Sequence, residues 1–170
     1  STIYSSARSN ITHVMALENI DYEGVLEPEN IIMGYDYGER EVSLSTISRD
    51  DSGLFKCGLN KEYIEFTHID PLNSNHLPIL QKRVEYYKTL KNDETKKVFV
   101  YHHRSNSGFS EGVKKHLFEA YDLFMKKYTN VYFICFTQSI VNDKKERGFN
   151  KIKPFDNMML IQFRTLKEWC

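Results

Sequence analysis

Residues 96–110 read KKVFVYHHRSNSGFS, and this stretch decides the predicted fold. Its apolar run, Val98–Tyr101, is β-branched and aromatic and too short for a helix, which predicts a buried strand. Ser110 suits the N-cap of a helix and Glu111 suits its first turn. Apolar residues then recur at helical spacing, namely Val113, Leu117, Ala120, Tyr121 and Phe124. A strand that leads through a polar loop into a helix is a building unit of α/β sheets.

Other strands and helices are predicted on both sides of this unit. Two continuous apolar runs, residues 131–136 and 158–163, are typical of strands buried in a parallel sheet. The charged residues 144–153 predict a surface loop. The first half predicts a helix capped by Asn10, strands at residues 41–47 and 63–66, and a helix over residues 78–92. We therefore expect one α/β domain of three layers with a mostly parallel sheet of about five or six strands.

Composition limits the classes of partner. The chain has 170 residues, with 23 Lys and Arg against 23 Asp and Glu, so its net charge is zero. A neutral chain has no long-range field to attract nucleic acid or an anionic membrane, and we expect neither as a partner. No apolar run reaches the length of a membrane span, and the polar start is unlike a signal peptide. The oligomeric state is left open.

The three cysteines, Cys57, Cys135 and Cys170, are widely spaced and odd in number. This arrangement argues against a disulfide framework and against a cysteine-rich zinc site, and it favours the cytoplasm. The six histidines form no ligand pair in helical register, so we expect no metal site. The chain begins without Met, which leaves open that it is part of a larger protein.

The loop after the predicted strand 98–101 is the main candidate for ligand binding. It carries His102, His103, Arg104, Ser105 and Asn106 directly before a helix N-terminus. Helix N-termini favour anions, and an Arg side chain matches carboxylate or phosphate groups. The loop has neither a GxGxxG nor a GxxxxGK[ST] spacing, so we predict no nucleotide cofactor. The predicted ligand is a small anion, either phosphate or a sugar nucleotide.

A second polar group follows the predicted strand 63–66. His68 and Asp70 lie where that strand ends, and a histidine near neutral pKa suits general acid or base catalysis. The alternative is a structural turn, because Asp, Asn and Pro residues commonly bond to nearby backbone. We take His68 and Asp70 as candidate catalytic residues, and we expect His68 to lie at the same strand ends as His102, His103 and Arg104, where the anion would bind.

Cysteine chemistry is the alternative activity. Cys57 lies between Lys56 and Gly58, where a nearby cation would lower the pKa of a nucleophilic thiol. Cys135 is within an apolar run and is predicted to be an inert buried thiol. A third alternative is a non-catalytic interaction domain of a larger protein.

The order of several short motifs resembles the bacterial papain-like cysteine peptidase family of unknown function, whose genes often lie near surface-polysaccharide genes. The motifs are Tyr4-Ser5, Phe66–Asp70, Lys82-Arg83-Val84, Lys97–Val100 and the segment from Phe163 to Trp169. The resemblance implies that His68 is the family's histidine. It also implies that Asn10 replaces the nucleophilic cysteine, so the chain would be a non-peptidase relative. We therefore expect an anion-binding protein, with a transferase or accessory role in surface-carbohydrate metabolism.

Overall fold

The computed structural model describes residues 3–5, 7–36, 39–52 and 62–168. It divides into two compact units, one ending at Lys91 and the other beginning at Asn92. Each unit contains its own four-stranded sheet. Within the described ranges, no helix combines the length and the apolar character needed to cross a membrane.

The first unit is built on an antiparallel sheet with strand order β1-β4-β3-β2. Its helix α1 begins directly after Asn10, whose side chain accepts a hydrogen bond from the backbone N–H of His13, as the sequence predicted. The second helix, α2, buries Leu80, Val84 and Tyr87 along one stripe. The elements are β1 (Ala7–Arg8), α1 (Ile11–Asn19), β2 (Ile31–Asp36), β3 (Arg40–Ser45), β4 (Ile64–Phe66) and α2 (Leu77–Thr89).

The second unit contains the strand–loop–helix unit that the sequence predicted. The strand is an outer strand and not the buried one predicted, since Val98 is 51% and Val100 is 62% exposed. Its sheet has the order β5-β6-β8-β7, in which β6 pairs in parallel with both β5 and β8, and β7 pairs antiparallel with β8. Helix α3 supplies the core through Val113, Leu117, Ala120 and Phe124. The Phe124 ring lies 4.4 Å from that of Phe99 on β5. The elements are β5 (Lys97–His102), α3 (Glu111–Lys127), β6 (Val131–Ile140), β7 (Gly148–Phe155) and β8 (Met158–Thr165).

The prediction of one mostly parallel sheet of five or six strands is wrong. The described strands form two sheets, and all pairings in the first are antiparallel. The connection between β2 and β3 is too short for a crossover, and such short connections permit only antiparallel pairing. Parallel pairing is confined to β5, β6 and β8, where α3 provides the long connection between β5 and β6.

The prediction of a surface loop over residues 144–153 is also wrong. The segment forms a short 3-10 turn at Lys144–Glu146 and then enters β7. Almost every residue of β7 is exposed, so its sequence has no continuous apolar run. An outer strand tolerates lysines and a proline because only one of its two edges is paired. An outer strand of this kind therefore has the composition of a surface loop.

A buried lysine stabilises the start of the parallel pair. Lys97 is 7% exposed, and its Nζ donates to the backbone carbonyls of Asp93, Thr95 and Thr129. These three acceptors lie just before β5 and just before β6. One ammonium therefore links the two segments that precede the parallel strands, and its three N–H donors match the three carbonyls.

We predict that Lys97→Met destabilises the second unit by about 2 kcal/mol, because three carbonyls lose a charged donor. Lys96→Met is the matched control, since Lys96 is exposed and lies 5.8 Å above the Tyr132 ring. Urea unfolding followed by circular dichroism measures the difference. Equal stability of the two variants would contradict a stabilising role for the Lys97 contacts.

Candidate functional site

The loop that follows β5 is tied to β6 at its start. The backbone N–H of His103 donates to the carbonyl of Phe136 at 2.9 Å. The hydroxyl of Thr137 donates to the carbonyl of His103 at 2.8 Å. Thr137 is fully buried, so this contact is shielded from water. The backbone leading into Arg104 is therefore held in one position by its parallel neighbour.

The far end of the same loop is tied to β6 as well. The N–H of Gly108 donates to the carbonyl of Gln138 at 2.9 Å, and the N–H of Ile140 donates to the carbonyl of Asn106 at 3.0 Å. Gly108 has a φ of +82°, and a Cβ there would lie 2.8 Å from the side chain of Gln162. Both the left-handed backbone and the close approach require glycine at this position.

Sequence reasoning missed the polar side chains on β6 and β8 next to this loop. Gln162 on β8 donates to the hydroxyl of Ser139 at 2.6 Å. Gln138 is 3% exposed and donates to the hydroxyl of Thr165 at 2.6 Å and to the carbonyl of Lys167. A glutamine in each of two apolar strands was a usable signal, because a buried amide requires partners.

The exposed side of the loop carries the groups that suit an anion. Arg104 and Asn106 are exposed, and Ser105 is half-buried. The hydroxyls of Ser105 and Ser107 lie 3.2 Å apart, and the N–H of Ser107 donates to the Ser105 hydroxyl. Four of the five predicted ligand-binding residues, at positions 103–106, therefore lie in the anchored loop directly after β5. The fifth, His102, is the last residue of β5.

The N-terminus of α3 follows this loop. The Ser110 hydroxyl accepts a hydrogen bond from the N–H of Val113 at 3.2 Å, as the sequence predicted for an N-cap. Because a helix N-terminus carries a partial positive charge, α3 adds to the positive potential near Arg104.

The two histidines of the loop are held neutral. The ring of His102 stacks on Phe136 at 4.6 Å, and burial together with the nearby Arg104 charge lowers the pKa of His102. Burial and the neighbouring His102 lower the pKa of His103 to about 4. Both imidazoles are therefore uncharged at pH 7, and the positive charge among these residues is that of Arg104.

The two candidate catalytic residues lie in the first unit, whereas the loop after β5 lies in the second. His68 is exposed. The carboxylate of Asp70 accepts from the hydroxyl of Ser43 at 2.7 Å and from the N–H of Leu72 at 2.9 Å. The N–H of Asp70 donates to Nδ1 of His76 at 3.2 Å. These contacts of Asp70 are those of a structural turn, and a joint site of His68 with the second unit stays a prediction.

A buried polar network surrounds Asn10. This residue occupies the position at which the family resemblance implies a nucleophile. Asn10 is 8% exposed, and its Oδ1 accepts from the N–H of His13 at 2.9 Å and from the hydroxyl of Thr12 at 2.6 Å. Its Nδ2 donates to the carboxylate of Asp50 at 3.0 Å. The amide therefore caps α1 and links it to the segment after β3.

The charge of Asp50 is stabilised in this network. Burial alone would raise its pKa, but hydrogen bonds from Ser52, Thr12 and Asn10 outweigh that effect and lower the pKa below its ordinary value. Asp50 is not among the residues that the sequence predicts to be functional. Its link to Asn10 spans 40 residues, so no local pattern indicated it.

The described cysteine is unsuited to nucleophilic chemistry. Cys135 is fully buried within β6, and burial raises the pKa of its thiol. The thiolate, not the thiol, is the nucleophile, so this side chain is inert at neutral pH. Cys57, the predicted alternative nucleophile, lies outside the described residues.

A cleft of about 330 Å³ lies in the first unit between residues 22–28 and one face of α2. Its charged lining residues are the carboxylates of Glu23, Glu27 and Glu85 and the ammonium of Lys88. Lys88 is already paired with Glu85 at 3.2 Å. The acidic lining makes this cleft unsuitable for an anion.

In the part of the chain that the structure describes, no three His, Cys, Asp or Glu side chains group in a way that could hold a metal ion.

The fold and the anchored loop define an α/β protein with a candidate anion site after a parallel strand. No family model, curated protein or solved structure matches the chain. The resemblance to papain-like peptidases therefore rests on the short motifs of the sequence.

We predict that stability falls as the pH is lowered from about 6.5 toward 4, because of His103. Its folded-state pKa of about 4 is below the ordinary value of 6.5, so the unfolded chain takes up the proton first. His103→Gln removes up to about 3 kcal/mol of this pH dependence. Urea unfolding at several pH values tests this, with the exposed His68→Gln as control. An unchanged slope for His103→Gln would contradict the buried neutral imidazole.

We predict that Asn10→Asp destabilises the first unit by about 2 kcal/mol at pH 7, because the donor to Asp50 becomes a second carboxylate. Protonation of one carboxyl restores a donor, so the defect shrinks as the pH falls toward 4. Thermal unfolding at pH 7 and pH 4.5 measures this difference. Asn75→Asp, at an exposed position, is the control, and a defect independent of pH would rule out repulsion between the two carboxylates.

Proposed function

We propose that the protein binds a small anion, either phosphate or the phosphate group of a sugar nucleotide, at the loop from Arg104 to Ser107. The observation that carries this proposal is the attachment of the loop to β6 at both ends. His103 is held by Phe136 and Thr137, and residues 106–108 are held by Gln138 and Ile140. A loop whose backbone is already ordered loses less entropy when it binds a ligand.

The charges around the loop indicate the size of the anion. His102 and His103 are neutral at pH 7, so Arg104 carries the positive charge of these three residues. One guanidinium can bind one phosphate or carboxylate group through two parallel hydrogen bonds. The hydroxyls of Ser105 and Ser107 can serve as further donors. This set of groups suits a single phosphate better than a polyphosphate chain.

Two finer parts of the proposal rest on the sequence. A transferase or accessory role in surface-carbohydrate metabolism, with His68 as acid or base, rests on the motif resemblance. A cytoplasmic location rests on the number and spacing of the cysteines. Binding of an anion at Arg104 does not depend on either of them.

We predict that inorganic phosphate raises the melting temperature of the wild-type chain and that Arg104→Ala weakens phosphate binding about tenfold or more. Thermal shift and isothermal titration calorimetry measure the two effects. Arg147→Ala is the matched control, since Arg147 is an exposed arginine of the same unit. The proposal fails if phosphate does not stabilise the wild type, or if Arg104→Ala responds to phosphate as the control does.

A further inference from the structure

The outer strand β7 has an open edge. In the sheet order β5-β6-β8-β7, this strand pairs with β8 on one side, and among the described residues no strand pairs with its other side. All of its residues except Pro154 are exposed. Its outward backbone N–H and C=O groups are therefore available to an added strand.

The exposed side chains of β7 include both apolar and cationic residues. Phe149 is 60% exposed and Ile152 is 55% exposed, and Lys151 and Lys153 lie on either side of Ile152. Phe155 packs partly within the unit, since its ring stacks on that of Tyr121 at 4.6 Å. The open part of the edge is thus the segment from Gly148 to Lys153, which presents both apolar surface and positive charge.

The positive charge of this region is local. Residues 141–165 contain six Lys and Arg side chains and three Asp and Glu side chains, whereas the whole chain is neutral. Within the described ranges, none of the four lysines at positions 144, 145, 151 and 153 forms a salt bridge. An acidic partner would supply the missing opposite charges.

We infer that the β7 edge binds an extended acidic segment of a partner protein as an added strand. Backbone hydrogen bonds would provide the pairing. Carboxylates on one face of the added strand would lie beside Lys151 and Lys153, and apolar side chains on its other face would lie beside Ile152. A second copy of this edge is disfavoured, because lysines would then face lysines. The added strand ends by Lys153, since Pro154 has no N–H and the register between β7 and β8 shifts between Ile152 and Phe155.

A single-stranded nucleic acid is the competing occupant, since it also combines negative charge with aromatic stacking. The geometry favours a peptide for two reasons. A strand edge offers a row of backbone donors and acceptors, which a peptide pairs in full. In addition, Phe155 is already stacked on Tyr121, which leaves Phe149 as the exposed aromatic ring of the edge.

The test uses the full chain and a fluorescein-labelled nonapeptide of alternating Glu and Val, followed by fluorescence anisotropy. We expect saturable binding that weakens with added salt. We also expect Lys151→Glu with Lys153→Glu to weaken it about tenfold, because attractive pairs become repulsive. The matched control is Lys115→Glu with Lys126→Glu, which makes the same charge change at exposed positions of α3 and should leave binding within about twofold.

A second peptide separates strand addition from simple charge attraction. It has the same sequence with alternate backbone amides methylated, which keeps the charge but removes the donors needed for pairing. We expect its binding to be lost. Equal binding of the methylated peptide, or no binding of either peptide, would overturn the inference. Tighter binding of an oligothymidylate that depends on Lys151 and Lys153 would also overturn it, in favour of nucleic acid.

Discussion

The parallel pairing of β5 with β6 is the constraint on which the second unit depends. It requires a long connection, which α3 provides, and it requires the backbone groups before both strands to find partners. The ammonium of Lys97 is a partner for the segments that precede the two strands. At the other end of the strands, Thr137 and Gln138 hydrogen-bond to the two ends of the loop that follows β5. The position of the candidate anion site is therefore a direct consequence of this one strand pair.

The same pairing determines the electrostatics of the site. Because β6 runs beside β5, Phe136 stacks on His102. Burial lowers the pKa of both imidazoles, the Arg104 charge further lowers that of His102 and the neighbouring His102 that of His103, so both are neutral at pH 7. A cluster of three basic residues in the sequence thus becomes one cation, Arg104, beside two neutral rings. The consequence is a site suited to one anionic group and without a strong long-range field.

In the first unit, the residue at the start of α1 has a structural role. Papain-like chemistry would need a thiolate at the start of α1, and Asn10 has no such group. Its amide instead caps the helix and binds Asp50, and the hydrogen bonds around Asp50 keep that carboxylate ionised. The contacts of Asp70 are likewise those of a turn.

The amino-acid sequence by itself determined the local elements of the stretch at residues 96–110: strand β5, the Ser110 cap and helix α3. It also placed Arg104 and its polar neighbours between them. Apolar spacing and capping act over a few residues, so they can be read directly. Only the tertiary structure decided which strands pair and in which direction, because the partners come from distant segments. For the same reason, the anchors from β6, the low pKa of His103 and the open edge of β7 were beyond any local pattern.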